Sequence, residues 1–114
     1  MSTVTTIAET GAQQSLQALA RLYRAGFQSA YLNSILHRAL RHQIRRDEAD
    51  LARINAALAE FEQKYGLTSD EFCQRFQTGQ MSDAAEFMEW NVFCRMRQRI
   101  LSRLNILGGD GGDG

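Results

Sequence analysis

The stretch SAYLNSILHRALRHQIRRDEADLARINAALAEFEQKY, residues 29–65, decides the fold. It contains no glycine, and the whole 114-residue chain contains no proline, so nothing in it interrupts a helix. As a single helix it would extend about 54 Å at 1.5 Å per residue. A compact chain of this size has a radius of gyration of only about 13 Å. The molecule is therefore expected to be elongated, paired with another chain, or bent in mid-helix. The first half of the stretch carries Leu32, Ile35, Leu36, Ala39, Leu40 and Ile44. The second half carries Leu51, Ile54, Leu58, Phe61 and Tyr65, whose alternating steps of three and four make a heptad seam. Between them, at RRDEAD (residues 45–50), the apolar stripe lapses.

Working outward, residues 1–11 form a Ser/Thr-rich lead with no periodicity, expected to be disordered. A first helix is expected over 12–25, from the spacing of Leu16, Leu19, Leu22 and Tyr23, with Gly26 as its stop and Phe27 folding back on Leu22. Ser29 is placed to cap the long helix of about 29–65, and Gly66 to end it, with Leu67 packing on Phe61. Thr68 and Glu71 have capping-box spacing ahead of a helix over 69–78 that presents Phe72, Cys73 and Phe76. A last helix over 83–107 carries Phe87, Trp90, Phe93, Cys94, Arg97, Ile100, Leu101, Leu104 and Leu107 on one stripe. The tail GGDGGDG, 108–114, reads as a flexible extension. The expected architecture is all-α: an elongated helical bundle or hairpin, one domain over 12–107, built on the central helix. In it the last helix runs antiparallel to the central one and sets Arg97 opposite Asp47, Glu48 and Asp50. An ion pair is predicted there, with Arg95 or Arg99 as further partners.

The formal net charge of zero hides segregation. Six arginines and no acid lie between Arg21 and Arg46; ten acids and three bases lie between Asp47 and Glu89; Arg95, Arg97, Arg99 and Arg103 follow. Such blocks steer encounters with charged partners. Arg38, Arg41 and Arg45 share a helical face, and with Arg46 they form a candidate basic partner-binding face for an acidic protein or for phosphates. No aromatic residues are interleaved with them in the manner of a nucleic-acid surface. Glu60, Glu62, Asp70 and Glu71 form an alternative acidic face.

Chemistry is harder to find. His37 and His42 are five apart and diverge around the helix, so no metal site is expected. Cys73 and Cys94 fall on apolar stripes without a CxxC pair, and read as small buried thiols in a reducing compartment. The carboxylates occupy polar helix faces, and there is no phosphate-binding loop or nucleophile elbow. Neither an enzyme nor a cofactor is expected. The N-terminus shows no signal-peptide pattern and no apolar run reaches bilayer length, so a cytoplasmic location without membrane contact is expected.

The run LAEFEQKYGLTSDEFCQRFQTGQMSDAAEFMEW, residues 58–90, resembles small helical proteins of prokaryotic toxin–antitoxin modules. The likeness lies in Phe61-Glu62-x-Lys64-Tyr65-Gly66, Ser69-x-Glu71-Phe72, Phe76, Gly79, Asp83 and Glu89-Trp90. It implies an all-helical antitoxin that binds and silences a toxin, often ribonuclease-like, encoded beside it. Apart from the resemblance, Phe61, Tyr65, Gly66, Phe72, Phe76, Trp90 and Arg97 are expected to be structural. Residues 1–28 contain no ribbon-helix-helix or helix-turn-helix pattern. Two other readings stand beside this one: a helical subunit contacting RNA or DNA through Arg38–Arg46, and a structural protein that dimerises through the Leu51–Tyr65 seam.

Overall fold

The computed structural model describes residues 2–108, with side chains described from Gly11 onward. The chain is all-α: four helices, α1 (Ser2–Arg24), α2 (Ala30–Tyr65), α3 (Ser69–Gln77) and α4 (Ala85–Leu107), with no strand among the described residues. It divides into two compact units, residues 1–38 and 39–114, and α2 contributes to both.

The first unit holds α1 and the start of α2. The helix expected from Ala12 begins instead at Ser2, so the lead expected to be disordered over 1–11 is helical from its second residue. No proline stands in the way, and the main-chain ladder extends without needing an apolar stripe. At the other end Gly26 adopts φ 97°. Its N–H donates to Tyr23 O and that of Phe27 to Leu22 O, both at 3.0 Å. This pair of bonds closes a glycine-terminated helix. Ser29 caps α2 as expected, its Oγ accepting from Leu32 N at 3.2 Å. Tyr23 Oη donates to Asn33 Oδ1 at 2.6 Å and ties the two helices. None of residues 11–38 is buried.

The second unit contains the core. Its buried apolar residues are Ile54, Leu58, Phe72, Cys73, Trp90, Cys94, Ile100 and Leu104, with Ile44, Leu51, Phe61, Leu67, Phe76 and Phe87 packed around them. The Leu51–Tyr65 seam is thus used inside the chain. Trp90, with no exposed surface, stacks on Phe72 at 3.9 Å and on Phe61 at 5.3 Å between centroids. Gly66, at φ 64°, ends α2 with its N–H on Glu62 O at 2.8 Å. Thr68 then caps α3, its Oγ1 accepting from Glu71 N at 3.1 Å. The second half of the cap comes from Glu62, whose Oε2 accepts from Ser69 N at 2.8 Å. The last helix starts at Ala85, two residues later than expected; Ser82 Oγ accepts from Ala84 N in the turn before it. The expected tail lies, from residue 109 on, outside the described residues.

Two expectations need correction. Arg97 does not meet Asp47, Glu48 or Asp50: its Nη2 donates to Asp70 Oδ1 of α3 at 2.7 Å. The partner of Asp47 is Arg103, six residues further along α4. The antiparallel register is slipped relative to the expected one, and Arg97 is turned toward α3 by its place beside Cys94 and Trp90. The cysteines, expected as separate buried thiols, are joined as a Cys73–Cys94 disulfide, with Cα atoms 6.8 Å apart. Both were correctly placed in the core, but only the α3–α4 packing brings them face to face.

The indole Nε1–H of Trp90 donates to Ser69 Oγ at 2.9 Å, and Ser69 is itself buried. Ser69→Ala should cost about 1–3 kcal/mol by stranding that donor, and Trp90→Ala about 3–5 kcal/mol through the cavity it leaves. Urea unfolding followed by circular dichroism checks both. A Ser69→Ala protein as stable as the parent would show that the hydrogen bond does not anchor α3.

Candidate partner-binding surfaces

The charged residues singled out from sequence meet different fates. Arg38 closes the first unit, while Arg41, Arg45 and Arg46 stand in the second. All four are exposed, and no ion pair engages them among the described residues. The acidic set is largely occupied within the chain. Glu62 caps α3, Asp70 pairs with Arg97, and Glu71 pairs with Arg75 at 3.4 Å. Only Glu60 of that set is left facing a groove. Phe61, Tyr65, Phe72, Phe76 and Trp90 sit in or against the core.

Asp47 is the chain's one buried carboxylate among the described residues, 1% exposed. The Arg103 fork reaches it twice, Nε to Oδ2 at 3.0 Å and Nη2 to Oδ1 at 2.9 Å, and Gln43 Nε2 adds a third bond at 3.2 Å. These bonds carry α2 through RRDEAD without a break, because the gap in the apolar stripe is filled by a fully bonded carboxylate. The Arg103 hydrogen bonds hold the Asp47 carboxyl below its ordinary range, against the desolvation that would raise it. At the opposite end of the helix pair, Lys64 Nζ donates to Glu86 Oε2 at 2.6 Å and Tyr65 Oη donates to Oε1 of the same carboxylate. The hydrogen bond to Glu86 raises Lys64, and likewise Tyr65, while those from Lys64 and Tyr65 lower Glu86.

Between these two ends, α2 and α4 leave an open groove lined by no α3 residue. It comprises two hollows of about 520 Å³ each that share Ala57 and Phe93. Asp50, Arg53, Ile54, Met96, Arg99, Ile100 and Arg103 line one. Glu60, Phe61, Lys64, Glu86 and Glu89 line the other. Reading the apolar seam alone misses this groove. Its signal is a second stripe one position earlier on the same turns, 50, 53, 57, 60 and 64, matched on the last helix by 86, 89, 93, 96 and 99.

The first unit presents apolar residues outward. Leu16 is 60% and Tyr31 74% exposed, and Leu22, Phe27 and Ile35 are also exposed. Among the described residues no group of three His, Cys, Asp or Glu side chains comes together in a way that could hold a metal ion, and no helix is long and apolar enough to cross a membrane. Comparison of the chain with protein-family models, curated proteins and solved structures gives no match.

Because the folded Asp47 pKa lies below its unfolded value, its contribution is complete above about pH 4 and is lost as the pH falls through the folded value. Acid titration of stability should therefore show a limb below about pH 4 that Asp47→Asn flattens. Arg103→Ala should cost about 2 kcal/mol at neutral pH, less than for a fully enclosed pair because half of the Arg103 side chain is in solvent. An unchanged acid limb in Asp47→Asn would remove Asp47 from that account.

Proposed function

We propose that this chain is a non-catalytic protein-binding module of antitoxin type, which binds and neutralises a cognate, ribonuclease-like toxin from a neighbouring gene. One observation supports the binding reading above the others: the first unit has exposed Leu16, Leu22, Phe27, Tyr31 and Ile35 and no buried residue over 11–38. Ordering a residue costs about 1–2 kcal/mol in backbone entropy alone, and a helix pair this small buries too little to recover it unaided. A partner seated on those side chains supplies the missing burial, whereas the second unit has a core of its own. The toxin as partner comes from the residue 58–90 resemblance. Arg38, Arg41, Arg45 and Arg46 give the encounter its electrostatic bias toward an acidic surface.

The exposed, unpaired Arg41, Arg45 and Arg46 favour a second reading, contact with RNA. It predicts binding that weakens steeply with salt and disappears when these arginines are replaced by alanine. A cytoplasmic location also belongs to the proposal, and it requires Cys73 and Cys94 to be recovered as thiols from acid-quenched cells. Recovery of the disulfide would place the protein in an oxidising compartment.

Co-expression with the adjacent gene product tests the main reading. Growth arrest by the neighbour alone, relieved by this chain in a co-purifying complex, is the expected result. Tyr31→Ser combined with Ile35→Ser should weaken the complex by about 30-fold or more, the scale of a hot-spot loss. Absence of both toxicity and complex would end the antitoxin proposal.

A further inference from the structure

The α2–α4 groove carries charges in an order that selects its own occupant. Along α2, Asp50 and Lys64 lie seven residues on either side of Ala57, with Arg53 and Glu60 nearer to it. Along α4, Glu86 and Glu89 lie on one side of Phe93 and Arg99 and Arg103 on the other. One end of the groove is thus rimmed mainly by arginines and the other mainly by glutamates, with Ala57, Phe93 and Met96 between them.

We propose that a second copy of this chain packs face to face on the groove, related by a two-fold axis that crosses the helices at the level of Ala57 and Phe93. The axis lies in the interface, perpendicular to the helices. It brings α2 against α2 and α4 against α4, each pair antiparallel. Asp50 of one copy then falls at the level of Lys64 of the other, Arg53 at that of Glu60, and Arg99 between Glu86 and Glu89. A two-fold axis running along the helices would instead stack arginines on arginines, so the charge order chooses between the two symmetric arrangements. The result is a four-helix bundle with the apolar middle of the groove enclosed. The intrachain Asp50–Arg53 and Lys64–Glu86 pairs are solvent-exposed. Such pairs are weak enough to re-form across an interface. The seam Leu51–Tyr65 stays in each copy's own core, so this dimer uses a different face from the one that seam would suggest. It is independent of toxin binding and of the apolar first unit.

Light scattering coupled to size exclusion, on the full chain, reads the outcome. The parent should run at twice the chain mass. Arg53→Glu with Arg99→Glu gives a groove acidic at both ends, and Glu60→Arg with Glu89→Arg one basic at both ends. Each double variant should dissociate about 10-fold or more readily, since like charges are then juxtaposed. An equimolar mixture of the two should recover the dimer, and so should one chain carrying all four changes. Circular dichroism showing parental helicity confirms that the variants fold. A parent that is monomeric at every accessible concentration would overturn the proposal. So would a dimer indifferent to both double variants, including one that is lost only when Tyr31 and Ile35 are replaced.

Discussion

The fold of the second unit depends on where Trp90 finds its single hydrogen-bond acceptor. An indole fully out of water must both fill its volume and place its N–H. Phe72 and Phe61 meet the first demand by stacking, and Ser69 Oγ meets the second. Ser69 is available only because it is the first residue of α3, held by Thr68 before it and by the Glu62 carboxylate on its own N–H. The cap, the turn at Gly66 and the aromatic stack are therefore one arrangement: α3 cannot shift along α4 without breaking all three. The Cys73–Cys94 bond sits on the same helix pair, and it adds a covalent tie where position is already set by packing.

Apolar stripes tolerate sliding, since one heptad position resembles the next. What forbids it here is polar. Asp47 and Lys64 are seventeen residues apart on α2, and their partners Arg103 and Glu86 are seventeen apart on α4. The two contacts are not equivalent. Lys64–Glu86 lies in solvent and contributes little on its own. Asp47 lies out of water, so leaving it unpaired is costly, and a register that carries Arg103 away without bringing another arginine to its place would do that. The buried pair thus acts against alternatives more than it adds to the native state.

Much of this was legible in the residues. The absence of proline, the glycines at 26 and 66, Ser29 and Thr68 as caps, and the 3–4 spacing of Leu51 to Tyr65 mark all four helices and most of the core. What was not legible depended on distances through space. Arg97 and Arg103 both interrupt polar and apolar patterns on α4, and spacing alone does not say which faces Asp47; a slip of a turn and a half changes the answer. Nor does a lone cysteine on a stripe announce its partner on another helix. The start of α1 was missed for a different reason, because amphipathic spacing reports burial and the Ser2–Gly11 stretch has no such spacing to report. The internal pairing of the acidic face was not legible either, because a carboxylate seen in sequence does not show whether it is already bonded, as Glu62 and Asp70 are.

The segregated charges take on a different meaning once the helices are paired. The acids that follow Asp47 meet the arginines of the last helix and the scattered bases among themselves: Asp47 with Arg103, Asp70 with Arg97, Glu71 with Arg75, Glu86 with Lys64. Among the described residues Arg41, Arg45 and Arg46 take no part in these ion pairs. Their positive charge is what remains once the second unit has paired with itself. Charge left uncompensated in this way acts on encounters with charged groups outside the chain rather than within the fold.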